Sequence, residues 1–367
     1  MRVLCLAATF APWGIGCLGT GTGGGGDGDT DIDADTDVDT DADSDSDGDC
    51  PPAGVATQLP LGPPVALASA TDLDGDGRMD LLVSSGDGVA SFVSSGCGAL
   101  GAAASVLAGT SITGLTHLGE GMAAAFDDSM TLHALSGADL GAGWSDPVAG
   151  LSSPGAVLAA HLDTDGDRDV AAFDATYGNL LRVENTGSGW SVRTQVALPA
   201  GISNVAAGDL GGNARDEILF LGGGLVEVVS VADFDFSDVR PLTFDAHAAA
   251  AFADFNGDGN GDVMVAAGSG VELWTSDGAT NITLVDSTSL GGSVLDVATV
   301  DRGSGPEVAA LVAGGGVRIL DGTFAETGSA ETAADASRIF GGDVDGDARD
   351  DVVVVTDAGS AWVWRTL

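Results

Sequence analysis

Beyond residue 50 the apolar positions fall into short runs rather than helical stripes. Asp80-Leu81-Leu82-Val83, Asp262-Val263-Met264-Val265 and Asp351-Val352-Val353-Val354-Val355 each follow an acidic loop and precede a Gly-rich turn such as Ser85-Gly86-Asp87-Gly88 or Gly268-Ser269-Gly270. Short, β-branched runs bounded by glycine read as strands. A small-residue strand comes before each acidic loop, as in Leu158-Ala159-Ala160, Val205-Ala206-Ala207 and Ala248-Ala249-Ala250-Ala251. A third strand (Val271-Glu272-Leu273-Trp274) and a fourth (Val192-Arg193-Thr194-Gln195-Val196) complete a four-stranded unit. No long helical pattern with caps occurs.

The unit repeats. Matching segments begin at Asp72, His117, His161, Asp209, Asp254, Thr299 and Asp343, at intervals of 45, 44, 48, 45, 45 and 44 residues. Seven copies at this period predict an all-β fold, a seven-bladed β-propeller of four-stranded blades over residues 51–367. The Ala-dense first strands suit inner positions, where blades converge on an axis. After Asp343 the sequence has room for two more strands, Asp351–Val355 and Ala361–Arg365, so the last copy is one strand short. Residues 54–60 resemble the fourth strand at 193–198 and are expected to supply it, closing the ring and leaving no open edge between first and last blades.

Charge narrows the partners. The chain carries 55 acidic residues against 12 basic ones, a net charge of −43, and it contains no lysine. Such a surface repels nucleic acid and anionic lipid and attracts divalent cations. Met1-Arg2 followed by the apolar run Val3–Trp13 resembles a secretory signal, assigned to residues 1–16, and is too short to span a bilayer. Gly14-Ile15-Gly16-Cys17 resembles a bacterial lipobox with Gly14 where leucine is usual. Two readings stand: lipidation of Cys17, or plain cleavage near Gly16. Residues 17–50 read as a solvated spacer, because Asp fills every odd position from Asp27 to Asp49 and such a tract cannot bury enough to fold. Two cysteines remain in the exported body, predicting one disulfide, Cys50–Cys97. The expected product is a monomer, outside the cell or on its surface, touching membrane only through an N-terminal lipid.

The acidic loops carry the candidate chemistry. Asp72-Leu73-Asp74-Gly75-Asp76-Gly77-Arg78-Met79-Asp80 sets carboxylates at positions 1, 3, 5 and 9. Alternate carboxylates on a tight loop can converge, and all-oxygen donors suit Ca²⁺. EF-hand and dockerin loops start alike but need an acid at position 12 and flanking helices; here position 12 is Val83, Ala172, Val265 or Val354.

The copies resemble the FG-GAP/VCBS repeats of the seven-bladed integrin α propeller and of bacterial surface proteins. Asp343 follows Phe340-Gly341-Gly342, and the loop Asp254–Asp262 is close to a consensus copy. The resemblance implies a cage of side chains at positions 1, 3, 5 and 9 with the carbonyl of position 7. Copy one then offers Asp72, Asp74, Asp76, the Arg78 carbonyl and Asp80. Copy five offers Asp254, Asn256, Asp258, the Asn260 carbonyl and Asp262. Copy seven offers Asp343, Asp345, Asp347, the Arg349 carbonyl and Asp351. Copy three keeps Asp163, Asp165, the Asp167 carbonyl and Asp169, but begins with His161. Copy four loses a ligand at Gly211, copy six keeps only Asp301 and Glu307, and copy two is too short for a cage. About three to four ions are expected, in a stapling role.

Catalytic signatures are missing: no G-x-S-x-G, H-E-x-x-H, phosphate loop or C-x-x-C occurs. The expected function is non-enzymatic, calcium-stabilised recognition or adhesion of an extracellular protein or glycan. The alternatives are a glycan-active lyase or hydrolase and a purely structural envelope protein. The resemblance puts ligands on the face opposite the metal loops, where Tyr177 is the one aromatic candidate.

Overall fold

A computed structural model describes residues 53–366, apart from short stretches at 87, 152–153, 164, 175, 199–201, 223–224, 230–239, 244–246 and 279–280. The chain divides into two units, Met1–Gly48 and Asp49–Leu367, and all described residues belong to the second. The signal, the spacer, Cys17 and Cys50 lie outside the described residues.

The described residues form seven antiparallel four-stranded sheets and no helix. Sheet one is typical: Leu67–Thr71, Asp80–Ser85, Gly88–Ser94 and Leu100–Val106, in that spatial order. The sheet of the last copy contains Ala336–Gly342, Asp351–Thr356 and Ser360–Trp364, and its fourth strand is Ala56–Pro60 from the start of the domain. Ala56 lies opposite Trp364 and Pro60 opposite Ser360.

Burial follows strand order. The second strands are covered on both faces, so every residue of Asp169–Asp174 and Asp351–Thr356 is buried. A strand buried on both faces reads as a continuous apolar run, not as an alternation. The outer strands alternate and are largely exposed, as in Glu326–Glu331. The apolar cores lie between sheets. Leu81, Val83 and Phe92 of sheet one pack with Val353, Val355 and Val363 of sheet seven. Leu73 and Leu82 pack with Leu115 and Leu135 of sheet two, and the remaining neighbours repeat the arrangement. Trp274 and Trp364, both on third strands, belong to such cores.

First strands of neighbouring sheets also touch, including those of sheets one and seven. The approach is close at Phe340-Gly341-Gly342. A Cβ on Gly341 would lie 2.0 Å from the carbonyl oxygen of Thr299 in sheet six. Glycine there is a requirement of backbone contact between inner strands.

Candidate metal centres

Each acidic loop joins the first and second strands of its sheet, and four local devices shape it. Position 2 is an apolar peg driven into the core between sheets: Leu73, Leu162, Leu210, Phe255, Val300 and Val344 are all buried. The carboxylate at position 1 accepts loop N–H groups. Asp72 takes Gly75 N at 2.7 Å and Gly77 N at 2.9 Å, and Asp343 takes Gly346 N at 2.6 Å and Ala348 N at 2.8 Å. Positions 4 and 6 have positive φ, met by Gly75 (80°) and Gly77 (86°) in loop one but by Ala348 (65°) at position 6 of loop seven. The acid at position 9 is buried and ties the hairpin together. Asp80 accepts Leu73 N at 2.8 Å and Ser94 N, from the end of the third strand, at 2.7 Å. Asp351 does the same with Val344 N and Thr366 N, and Asp262 with Asn256 N and Ser276 N.

Burial raises these position-9 acids. Asp80 and Asp262 are pushed up, and Asp169, Glu217 and Asp351 reach about 7. The backbone donors oppose that rise without cancelling it. A cation alongside would favour the charged form.

Loop one brings carboxylate oxygens of Asp72, Asp74 and Asp80 within 4.8 Å of one another. Asp76 is turned aside to Arg78. Loop seven gathers Asp343, Asp345 and Asp347, with Arg365 against Asp345. In loop five the Asn256 amide bridges two acids, donating to Asp258 at 3.0 Å and Asp262 at 3.4 Å. The donor sets of loops one and seven fit a hard divalent cation; in loop five Asp254, Asp258 and Asp262 do not converge, and the Asn256 amide N–H, not its oxygen, faces the acids. When bound, the ion would supply positive charge where like-charged oxygens crowd.

Loop three differs. The guanidinium of Arg182, from the third strand of the same sheet, lies 2.9 Å from Asp163 and 3.3 Å from Asp169. Arg182 is buried, only 2% exposed. Asp163 sits below its ordinary value: burial raises it, and the Asp165 N–H and Arg182 more than offset that. The acids that come within 4.8 Å here are Asp163, Asp165 and Glu184, not Asp169. Loop six shows a related solution, with Arg302 held to Glu307 by bonds of 2.7 and 2.8 Å. In both loops the chain supplies its own cation. Opposite Arg182 in the hairpin is Ala171, two residues past the last loop acid; the matching third-strand residues are Ser91 in sheet one, Leu273 in sheet five and Val363 in sheet seven.

Position 8 reaches the preceding sheet, a role the spacing of acids does not reveal. Asp216 accepts His161 N at 2.7 Å, Asp350 accepts Asp301 N at 2.7 Å, and Met79 N donates to the Asp343 carbonyl of sheet seven. Arg168, at position 8 of loop three, meets His117 at 3.0 Å. Burial, helped by Arg168, lowers His117 to about 4, so the ring is neutral.

On the opposite face Tyr177 is 65% exposed. Trp144 and Trp190 pack on each other, with ring centroids 5.9 Å apart, across the outer strands of sheets two and three. Cys97 is disulfide-bonded.

No known protein family matches the sequence, and no curated protein does. Among solved structures the chain resembles BBS1N in complex with ARL6DN, soaked with mercury, at TM-score 0.63 and 11% identity, covering 86% of this chain and 94% of that one. It also resembles the lead-soaked form of that complex, at TM-score 0.61 and 12% identity, covering 85% and 93%. At such identity the likeness concerns the fold alone: a β-propeller.

Proposed function

We propose that the chain is a closed, seven-bladed propeller of the FG-GAP/VCBS kind, exported and calcium-stapled, that binds an extracellular protein or glycan and catalyses no reaction. The observation that carries the calcium reading is loop one, where three carboxylates converge and Arg78 neutralises only Asp76. Loops one, five and seven take three ions, and in loop three Arg182 stands where the fourth would bind. The fold supports a binding role: the BBS1N structures it resembles are complexes with a protein, ARL6DN.

Closure is supported by the strand Ala56–Pro60 paired with Ser360–Trp364 and by the core between sheets one and seven. Deleting residues 51–62 should lower thermal unfolding by many degrees; an unchanged midpoint rejects closure. The recognition reading is tested by screening surface proteins and a glycan array with Ca²⁺ and with chelator. Specific capture without turnover supports it. Released reducing or unsaturated sugar ends would instead identify an enzyme.

A further inference from the structure

Copy two has no acidic loop. Its first two strands, Ile112–Gly119 and Met122–Asp127, are joined by Glu120 and Gly121 alone. Loops elsewhere stand over the strand ends, so this short turn leaves space beside loop three. A cavity of about 540 Å³ fills it, with Glu120, His117, His161, Asp165, Asp167 and Arg168 in its wall.

Two groups in that wall have unused bonding capacity. The first is Arg168. Among the described residues its one polar side-chain contact is His117 Nε2 at 3.0 Å. His117 is itself held at Nδ1 by Ser69 Oγ, 3.3 Å away. Arg168 donates to Nε2, and Nδ1–H donates to the serine. A neutral acceptor therefore orients the guanidinium without cancelling its charge. Arg78, Arg182, Arg302 and Arg365 each have a carboxylate instead. The second group is the Asp167 carboxylate, which lies beside that of Asp165 and whose Oδ1 meets no donor among the described residues. Such an acceptor is costly unless a donor reaches it.

A planar guanidinium matches a carboxylate with two parallel bonds, and a carboxylate acceptor matches O–H or N–H. We infer that this cavity binds a small carboxylate carrying hydroxyl or ammonium donors beside it, a sugar acid or an amino acid, with Arg168 on the carboxylate and Asp167 on the donors. The site lies on the loop face, away from the surface where the repeat resemblance would put a ligand. It rests on reading the chain as a recognition module and names the chemistry one of its sites reads.

Calorimetric titration of the full chain in Ca²⁺ buffer with D-glucuronate, glycine, glucose and acetate tests the inference. Glucuronate or glycine should bind, and which of them does so tells sugar acid from amino acid. Glucose, lacking the carboxylate, and acetate, lacking the donors, should bind at least tenfold more weakly. Arg168→Gln should lose at least tenfold in affinity. If that variant does not fold, Arg168→Lys, which keeps the charge without the fork, should show a smaller loss of the same kind. Silence from both glucuronate and glycine, glucose binding as well as glucuronate, or full affinity in a folded Arg168 variant overturns the site. A macromolecule still captured in the screen would then leave the recognition reading standing.

Discussion

Loops one and three start from nearly the same string of acids and solve the same electrostatic problem differently. In loop one Asp72, Asp74 and Asp80 crowd together, and the nearby Arg78 is partly exposed and occupied with Asp76. In loop three a buried arginine from the neighbouring strand reaches two of the acids at once. Crowded carboxylates need positive charge, and the chain can wait for an ion or carry a side chain. An ion makes the staple depend on the surroundings; an arginine makes it permanent. Partly exposed ion pairs such as Arg78–Asp76 contribute little, whereas removing one partner of a buried pair is costly.

The largest effect expected is from Arg182→Leu in chelator. Leaving Asp163 and Asp169 without a counter-charge should cost about 3–5 kcal/mol, read by denaturant unfolding. Millimolar Ca²⁺ should recover part of that loss, because loop three then resembles loop one. A variant indifferent to Ca²⁺ would break the comparison.

Chelation of the wild-type chain comes next. At free Ca²⁺ about tenfold above Kd, each ion adds roughly 1.4 kcal/mol, so loops one, five and seven together account for about 4 kcal/mol. Calorimetry with and without excess chelator reads this, and no shift in midpoint would sink the stapling role.

Acidity sharpens the contrast. Asp351 and Glu217 have folded values near 7, above those of an unfolded chain. The folded state therefore holds the proton more tightly, and metal-free stability should rise as pH falls from 8 toward 5.5. The gain is on the order of 2 kcal/mol per buried acid. With Ca²⁺ bound, protons compete with the ion and the trend should flatten or reverse. A metal-free protein losing stability over that range contradicts the burial argument.

Smaller effects concern the loop backbone. Ala348 holds a left-handed conformation that Gly77 adopts freely in loop one. Ala348→Gly should stabilise by about 0.5–1 kcal/mol. Arg349→Ala should leave ion affinity unchanged, since the main-chain carbonyl is the expected ligand. A tenfold drop would show that its side chain matters.

Much of this was legible in the sequence because the signals were periodic. The interval near 45 residues gave the sheets, and the missing last strand pointed to residues 54–60. Of the acids that the spacing singles out in loops one and seven, Asp72, Asp74 and Asp80 gather in the one and Asp343, Asp345 and Asp347 in the other. Cross-strand facts were not legible. Arg182 reaches Asp169 only because the hairpin register sets Arg182 opposite Ala171, and no local pattern distinguishes it from an exposed strand arginine. The contacts of position 8 depend on the neighbouring sheet. The cavity arises from residues that copy two lacks. One signal was available: buried apolar residues recur at position 2 of six loops, marking these as anchored loops.

Anomalous scattering from a crystal grown in Ca²⁺ tests the account most directly. It predicts peaks within loops one, five and seven of the wild-type chain and none in loop three, with a new loop-three peak in Arg182→Leu. Empty loops one, five and seven, or an ion in loop three beside an undisplaced Arg182, would contradict it.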